Sequence, residues 1–223
     1  MIVVERKPIE QIKEFVWPYK RILIVGCGEC ATVCFAGGEK EVGTLASQLR
    51  ILWNKQDKEI KIIEQTIQRQ CEKKFVNELK ENIEKVDAIL SLGCGAGVQY
   101  ITEIFPKVAV YPGVDTKFLG GTGEPGLWIE NCQACGDCLL DKTGGICPIA
   151  CCSKSLLNGP CGGSQNGKCE VSEEIDCAWE KIIDQMKILG RLKELDNIQP
   201  IKDWSKSRDG GSRKVIREDL KLE

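Results

Sequence analysis

The sequence predicts an α/β protein, with a doubly wound parallel sheet first, a cysteine-rich, loop-dominated module next and a C-terminal helix last. Three observations carry this. Short β-branched runs alternate four times with helix-period segments over residues 21–112. Apolar periodicity then lapses over 113–170, a Gly-rich stretch that holds eight of the 14 cysteines. A helical pattern returns over 172–196. The chain therefore divides into 1–112, 113–171 and 172–223, within a length of 223 residues that allows one large domain or two small ones.

Residues 1–20 read as a mixed lead-in ending near Pro18. Arg21–Val25 is a short β-branched run ending at Gly26, the signature of a buried strand. Val42, Leu45, Leu49 and Leu52 recur at spacings of three and four, one face of a helix over 41–54. Glu59–Thr66 reads as a second strand, and Phe75, Leu79, Ile83 and Val86 mark a second helix face. Val86–Leu92 is a third strand, stopping at Gly93. A short helix over 97–105 and a strand over Lys107–Tyr111 complete the alternation. Parallel βαβ units with right-handed crossovers follow, as in Rossmann or flavodoxin-like sheets. Over 113–170 a conventional core is not available, so metal would have to support the fold. In the last helix Ile175, Trp179, Ile182, Met186 and Leu189 share a face, with Glu173 and Glu174 in the first turn. The final 22 residues are charged and read either as a frayed tail or as an arm that orders on a partner.

Composition removes several function classes. Hydrophobic residues are 42% and charged residues 29%, which supports a buried core and argues against general disorder. Lys+Arg is 31 against Asp+Glu 33, so no basic field draws nucleic acid or anionic lipid. Histidine is absent, which excludes Ser-His-Asp and Cys-His nucleophiles and His-ligated metals. The charged N-terminus lacks a signal-peptide h-region. The longest uncharged run, Ala88–Thr102, falls short of the roughly 18 residues of a membrane span. A cytoplasmic protein is expected, and in that reducing compartment clustered thiols read as metal ligands.

The cysteines form two groups. Cys27, Cys30 and Cys34 follow the first strand, Cys71 the second and Cys94 the third. Parallel strands end on one edge of a doubly wound sheet, so these five converge on one site. Four thiolates fit a [4Fe–4S] cluster, with zinc as the alternative. One thiol is then spare, Cys71 or Cys27 being the first candidates. Gly26-x-Gly28-x-x-Ala31 mimics a dinucleotide fingerprint, but the loop runs on through Cys34 and Gly37-Gly38 before its helix begins. Cys27-x-x-Cys30 also reads as a thiol–disulfide pair, which leaves Cys34 and Cys94 without a role.

The second group opens with Cys132-x2-Cys135-x2-Cys138, the loop that grips one cubane face in ferredoxins. Cys147-Pro148 repeats the Cys-Pro ending of that run, and Cys151, Cys152, Cys161 and Cys169 follow. Only one of Cys151 and Cys152 faces a given metal. Cys177, two before Trp179, reads as a packed thiol. Iron–sulfur leads and structural zinc is the alternative, with one site or two left open.

Cys132-x2-Cys135-Gly-Asp-Cys138-Leu139, Gly145-Ile-Cys147-Pro148, Asn158-Gly-Pro-Cys161-Gly-Gly163 and Lys168-Cys169-Glu170-Val171 resemble the methylenetetrahydrofolate reductase C-terminal domain family. Gly26-Cys27-Gly28-x-Cys30-x3-Cys34 with Ala36–Val42, Arg69–Glu72 and Asp203–Gly211 resembles its stand-alone, MetV-type small subunits. The resemblance covers nearly the whole chain. It implies a non-catalytic iron–sulfur subunit with at least two [4Fe–4S] clusters, zinc being an option at one site. The implied partner is a MetF-type subunit carrying FMN, which reduces methylenetetrahydrofolate to methyltetrahydrofolate in the reductive acetyl-CoA (Wood–Ljungdahl) pathway of anaerobes. A further electron-donor module is an additional partner. The expected metal ligands are Cys27, Cys30, Cys34, Cys71, Cys94, Cys132, Cys135, Cys138, Cys147, Cys151, Cys161 and Cys169. Two rivals belong to other classes: a zinc scaffold that braces the same catalytic partner, and an enzyme binding flavin or nicotinamide at its own strand-end glycines.

Overall fold

A computed structural model describes residues 1–124 and 126–220. Pro125, inside the expected cysteine-rich module, and residues 221–223, the end of the expected C-terminal arm, lie outside the described residues. The chain divides into two compact units, Met1–Trp128 and Ile129–Glu223.

The first unit runs β1 (Ile2–Arg6), α1 (Ile9–Val16), β2 (Arg21–Cys27), α2 (Cys30–Val33), α3 (Glu39–Asn54) and β3 (Lys61–Ile67). Short helical turns follow, α4 (Lys73–Val76) and α5 (Lys80–Ile83) with a 3₁₀ turn between them. Then come β4 (Ala88–Ser91), α6 (Gly95–Ile104), β5 (Ala109–Pro112), β6 (Val114–Glu124) and β7 (Leu127–Cys132), the last crossing the unit boundary. Strands β3-β2-β4-β5 form one sheet in that order, every pair parallel. This is consistent with a Rossmann or flavodoxin-like core.

Strand alternation explains the burial on both faces. Leu23, Val25 and Ile89 pack with Ile67, Val76, Leu79 and Ile101 on one side. Ile22, Ile24, Ala88 and Leu90 pack with Ile12, Val16, Leu45, Leu49 and Trp53 on the other. Each Val, Leu or Ile among them, fully buried, contributes about 1.5–3 kcal/mol of transfer free energy. At the start of α3 the Gly38 N–H donates to the Glu41 carboxylate at 2.9 Å, half of a capping box.

Several elements differ from the expectation. The lead-in contains β1, which pairs antiparallel with β6 in a second sheet of order β1-β6-β7. The stretch from residue 113, expected to be loop, therefore opens with an 11-residue strand that belongs to the first unit. The helix face marked by Phe75, Leu79, Ile83 and Val86 is broken into separate turns, and Val86 lies beyond them.

The second unit contains α7 (Pro148–Cys151), a small hairpin of β8 (Lys168–Cys169) and β9 (Ser172–Asp176), and α8 (Ala178–Ile188). Glu173, Glu174 and Ile175 lie in β9, so they are not in the helix; Glu180 is the acid in its first turn. Leu189 caps the helix C-terminus and is exposed. The core here is small, with Cys177, Trp179, Ile182 and Met186 buried and Ile146, Cys152, Leu156 and Leu195 packed against them. Among the described residues no helix is long and apolar enough to cross a membrane.

Candidate metal centre

The parallel sheet carries the first cysteine group to its C-terminal edge. Cys27 is the last residue of β2 and stands opposite Ile67, the last of β3. Cys71 lies in the turn beyond β3, and Cys94 is the N-cap of α6 just beyond β4. Cys30 starts the single turn α2 and Cys34 ends it. Cys27 and Cys34 are buried, Cys30 and Cys94 half-buried and Cys71 exposed.

Electrostatics show which thiols are neighbours. Desolvation pushes the Cys71 thiol above its ordinary value although the residue as a whole is exposed, and Cys94, Cys27 and Cys30 push it further. Burial pushes Cys34 up, with Cys30 the one cysteine that adds to it. Cys34 donates to the Ile2 carbonyl at 3.7 Å, whereas Cys30 accepts the Ile2 N–H at 3.4 Å. Cys27 faces the Gln68 carbonyl at 3.9 Å.

Gln70 joins the strand ends, and the sequence reading passed over it. It is 1% exposed. Its Nε2 donates to the Val25 carbonyl at 2.9 Å, and its Oε1 accepts from Ser91 Oγ at 2.5 Å. Ser91 Oγ in turn accepts the Gly93 N–H at 3.2 Å. A Cβ on Gly93 would stand 2.4 Å from Gln70 Oε1, so only glycine fits beside Cys94. The turns bearing Cys71 and Cys94 thus share one buried polar network. The available signal was a Gln directly before Cys71 and a Ser two before Gly93. Arg69 adds ion pairs to Glu29 and Glu72, both at 3.4 Å.

In the second unit the 132–138 loop curls through positive φ at Ala134 (50°) and Gly136 (82°). The Ala134 N–H donates to Cys132 Sγ at 3.3 Å, and Cys135 faces the Asp137 carbonyl at 3.7 Å. Cys138 is exposed. Cys147 is the N-cap of α7, its sulfur accepting the Ala150 N–H at 3.5 Å. Burial pushes Cys151 up and Cys147 adds to it. Cys151, Cys152, Cys161, Cys169 and Cys177 line one cleft against Trp179. Cys177, expected to be a packed thiol, is buried and also lines this cleft. Cys169 is held below its ordinary value by the Ser153 hydroxyl at 3.5 Å, then by backbone N–H groups.

Among the described residues, no three Cys, Asp or Glu side chains stand close enough together to hold one ion. The thiols instead turn toward backbone partners such as Gln68 and Ile2. The donor set still suits a soft metal or an iron–sulfur group. It is all thiol, and backbone N–H groups already point at the sulfurs of Cys30, Cys132 and Cys147. That is poor chemistry for a hard, oxygen-seeking cation.

Fold and site together define an α/β protein with cysteines gathered at strand ends, followed by a cysteine-rich unit. Residues 111–205 match the family described as methylene-tetrahydrofolate reductase C terminal, a match that covers the later cysteines and less than half of the chain. This segment is similar to that family; the strand-end cysteines lie outside it. No curated protein and no solved structure matches the chain.

Proposed function

We propose that this chain is the MetV-type iron–sulfur electron-transfer subunit of a cytoplasmic methylenetetrahydrofolate reductase, holding two [4Fe–4S] clusters. Its electrons go to FMN on a MetF-type partner, and the folate is reduced there rather than on this chain. The observation that carries the reading is that Cys27, Cys30 and Cys94, which lie at or just beyond the ends of β2 and β4, are each within electrostatic range of Cys71, which follows β3. These four are the proposed ligands of one cluster, and Cys34 is the spare thiol. Cys132, Cys135, Cys138 and Cys147 are proposed for the other, on the loop curl and the N–H···S bonds. A bound cluster supplies one-electron transfer without acid–base groups, and the charged side chains around these thiols serve to position backbone.

Zinc is the second reading at one place. Four of the five thiols that line the Trp179 cleft would supply a single tetrahedral ion that staples a small core.

The test is anaerobic mixing of the dithionite-reduced chain with the oxidised flavin subunit. Rapid bleaching of FMN, dependent on this chain, is expected. A flavin that stays oxidised while iron is present removes the electron-transfer role.

A further inference from the structure

The C-terminal segment crosses the 132–138 loop as a strap. Lys202 Nζ donates to the Asp137 carbonyl at 2.6 Å, and Lys206 Nζ pairs with the Asp137 carboxylate at 3.2 Å. Arg213 Nη1 donates to the Ala134 carbonyl at 2.6 Å and to the Lys206 carbonyl at 3.2 Å. Three cations therefore close on one seven-residue cysteine loop. The fit is tight, since a Cβ on Gly136 would stand 2.1 Å from the Lys206 carbonyl oxygen. Of the two readings of the tail, frayed or ordering on a partner, neither describes this stretch, which packs on its own chain.

Lys202 is the unusual member. It is 6% exposed, and among the described residues it forms no ion pair. Its neighbour Asp203 is engaged mainly by Ser205, accepting the N–H at 3.0 Å and Oγ at 2.5 Å, and Lys202 is only the smallest of the influences on its carboxyl. The Trp204 ring centroid lies 5.8 Å from the ammonium, a weak substitute for a counter-ion. A buried ammonium is expensive unless an anion faces it. Cys135 Sγ meets the same Asp137 carbonyl at 3.7 Å, so the ammonium stands on the stretch of backbone between Cys135 and Cys138, thiols that become anionic when they bind metal.

The geometry points to Lys202 as the buried counter-cation of the metal–thiolate site on the 132–138 loop, held there by the 202–213 strap and raising that site's reduction potential. This rests on the iron–sulfur reading above. A four-thiolate cluster is anionic in both oxidation states. Uptake of one electron from a low-potential donor, dithionite in the test, adds one negative charge and no proton. A fixed cation in a poorly solvated position stabilises the more negative state. Lys202 touches no reacting atom, so it is a positioning residue that acts through charge.

The test is a mediated dithionite titration of the full chain, purified without oxygen, followed by EPR and visible absorbance. Lys202→Gln should shift one cluster's one-electron equilibrium about tenfold toward the oxidised form, a midpoint about 59 mV more negative, and leave the other cluster unchanged. Lys202→Arg should restore the wild-type value. If Lys202→Gln does not fold, the exposed pair Lys206→Ala/Arg213→Ala should give a smaller shift of the same sign. Unchanged midpoints in iron-replete variants overturn the inference alone. A wild-type chain that takes up no iron overturns it together with the functional reading.

Discussion

Gln70 and Ser91 form a buried contact of 2.5 Å between the turn after β3 and the end of β4, beside two of the strand-end cysteines. A strand-end site needs more than converging strands; it needs its turns held in register. Gln70→Ala removes the contact and leaves the Ser91 hydroxyl proton without its acceptor, while the Val25 carbonyl keeps only the Leu92 N–H at 2.8 Å. A loss of about 1–3 kcal/mol in unfolding free energy is expected for such buried groups, read by urea denaturation. Iron bound at the first site should fall as well. Wild-type stability and iron content in this variant would show that the network does not position the turns.

Cys34 and Cys94 should respond differently to substitution. Cys34→Ser leaves the four proposed ligands in place and should retain the iron and the visible spectrum of the wild type. Cys94→Ala should lose about four irons per chain. The reverse pattern would exchange Cys34 into the ligand set.

Asp176 sets an acid limit on the β8–β9 hairpin. Hydrogen bonds from Lys168 and then Lys181, both at 2.6 Å, hold its carboxyl down to about 2 from the ordinary 3.8. With the folded value below the unfolded one, the unfolded chain binds more protons between them. The contribution to stability is therefore complete above 3.8 and fades as pH falls toward about 2. Because the pair is on the surface the effect is small and screened by salt. The stability difference between wild type and Asp176→Asn should be constant at neutral pH and disappear at the acid end. A difference that grows on acidification would contradict the assignment.

Gly136→Ala tests the strap without reference to metal. The backbone there has φ of 82°, and a Cβ would meet the Lys206 carbonyl. An L side chain in that region costs roughly 1–2 kcal/mol before any clash. The strap should lift, with faster tryptic cleavage after Lys202 and Lys206 and faster alkylation of Cys135. Unchanged rates would mean that the strap does not close on this loop.

The parallel sheet was legible because strands buried on both faces leave continuous β-branched runs such as Ile22–Val25 and Ala88–Leu90. Its strand order brought the five thiols to one edge. The antiparallel sheet was not legible: β6 contains Gly120, Gly121 and Gly123 and buries only Val114 fully, so no alternation marks it. Glu173 and Glu174 imitated a helix start while lying in a strand. Lys202, Lys206 and Arg213 grip mainly backbone carbonyls, and carbonyls leave no trace in sequence. In the sequence Cys71 and Cys27 are the first candidates for the spare thiol, and the buried Gln70 next to Cys71, which ties its turn to the strand ends, carries no pattern that sequence periodicity reveals.

The most direct test is the iron, acid-labile sulfide and zinc content of the anaerobically purified chain, read with its visible spectrum. The account predicts about eight irons and eight sulfides per chain, with absorbance bleached by dithionite. A colourless protein holding zinc and no iron would contradict it and leave a thiolate-stapled scaffold in its place.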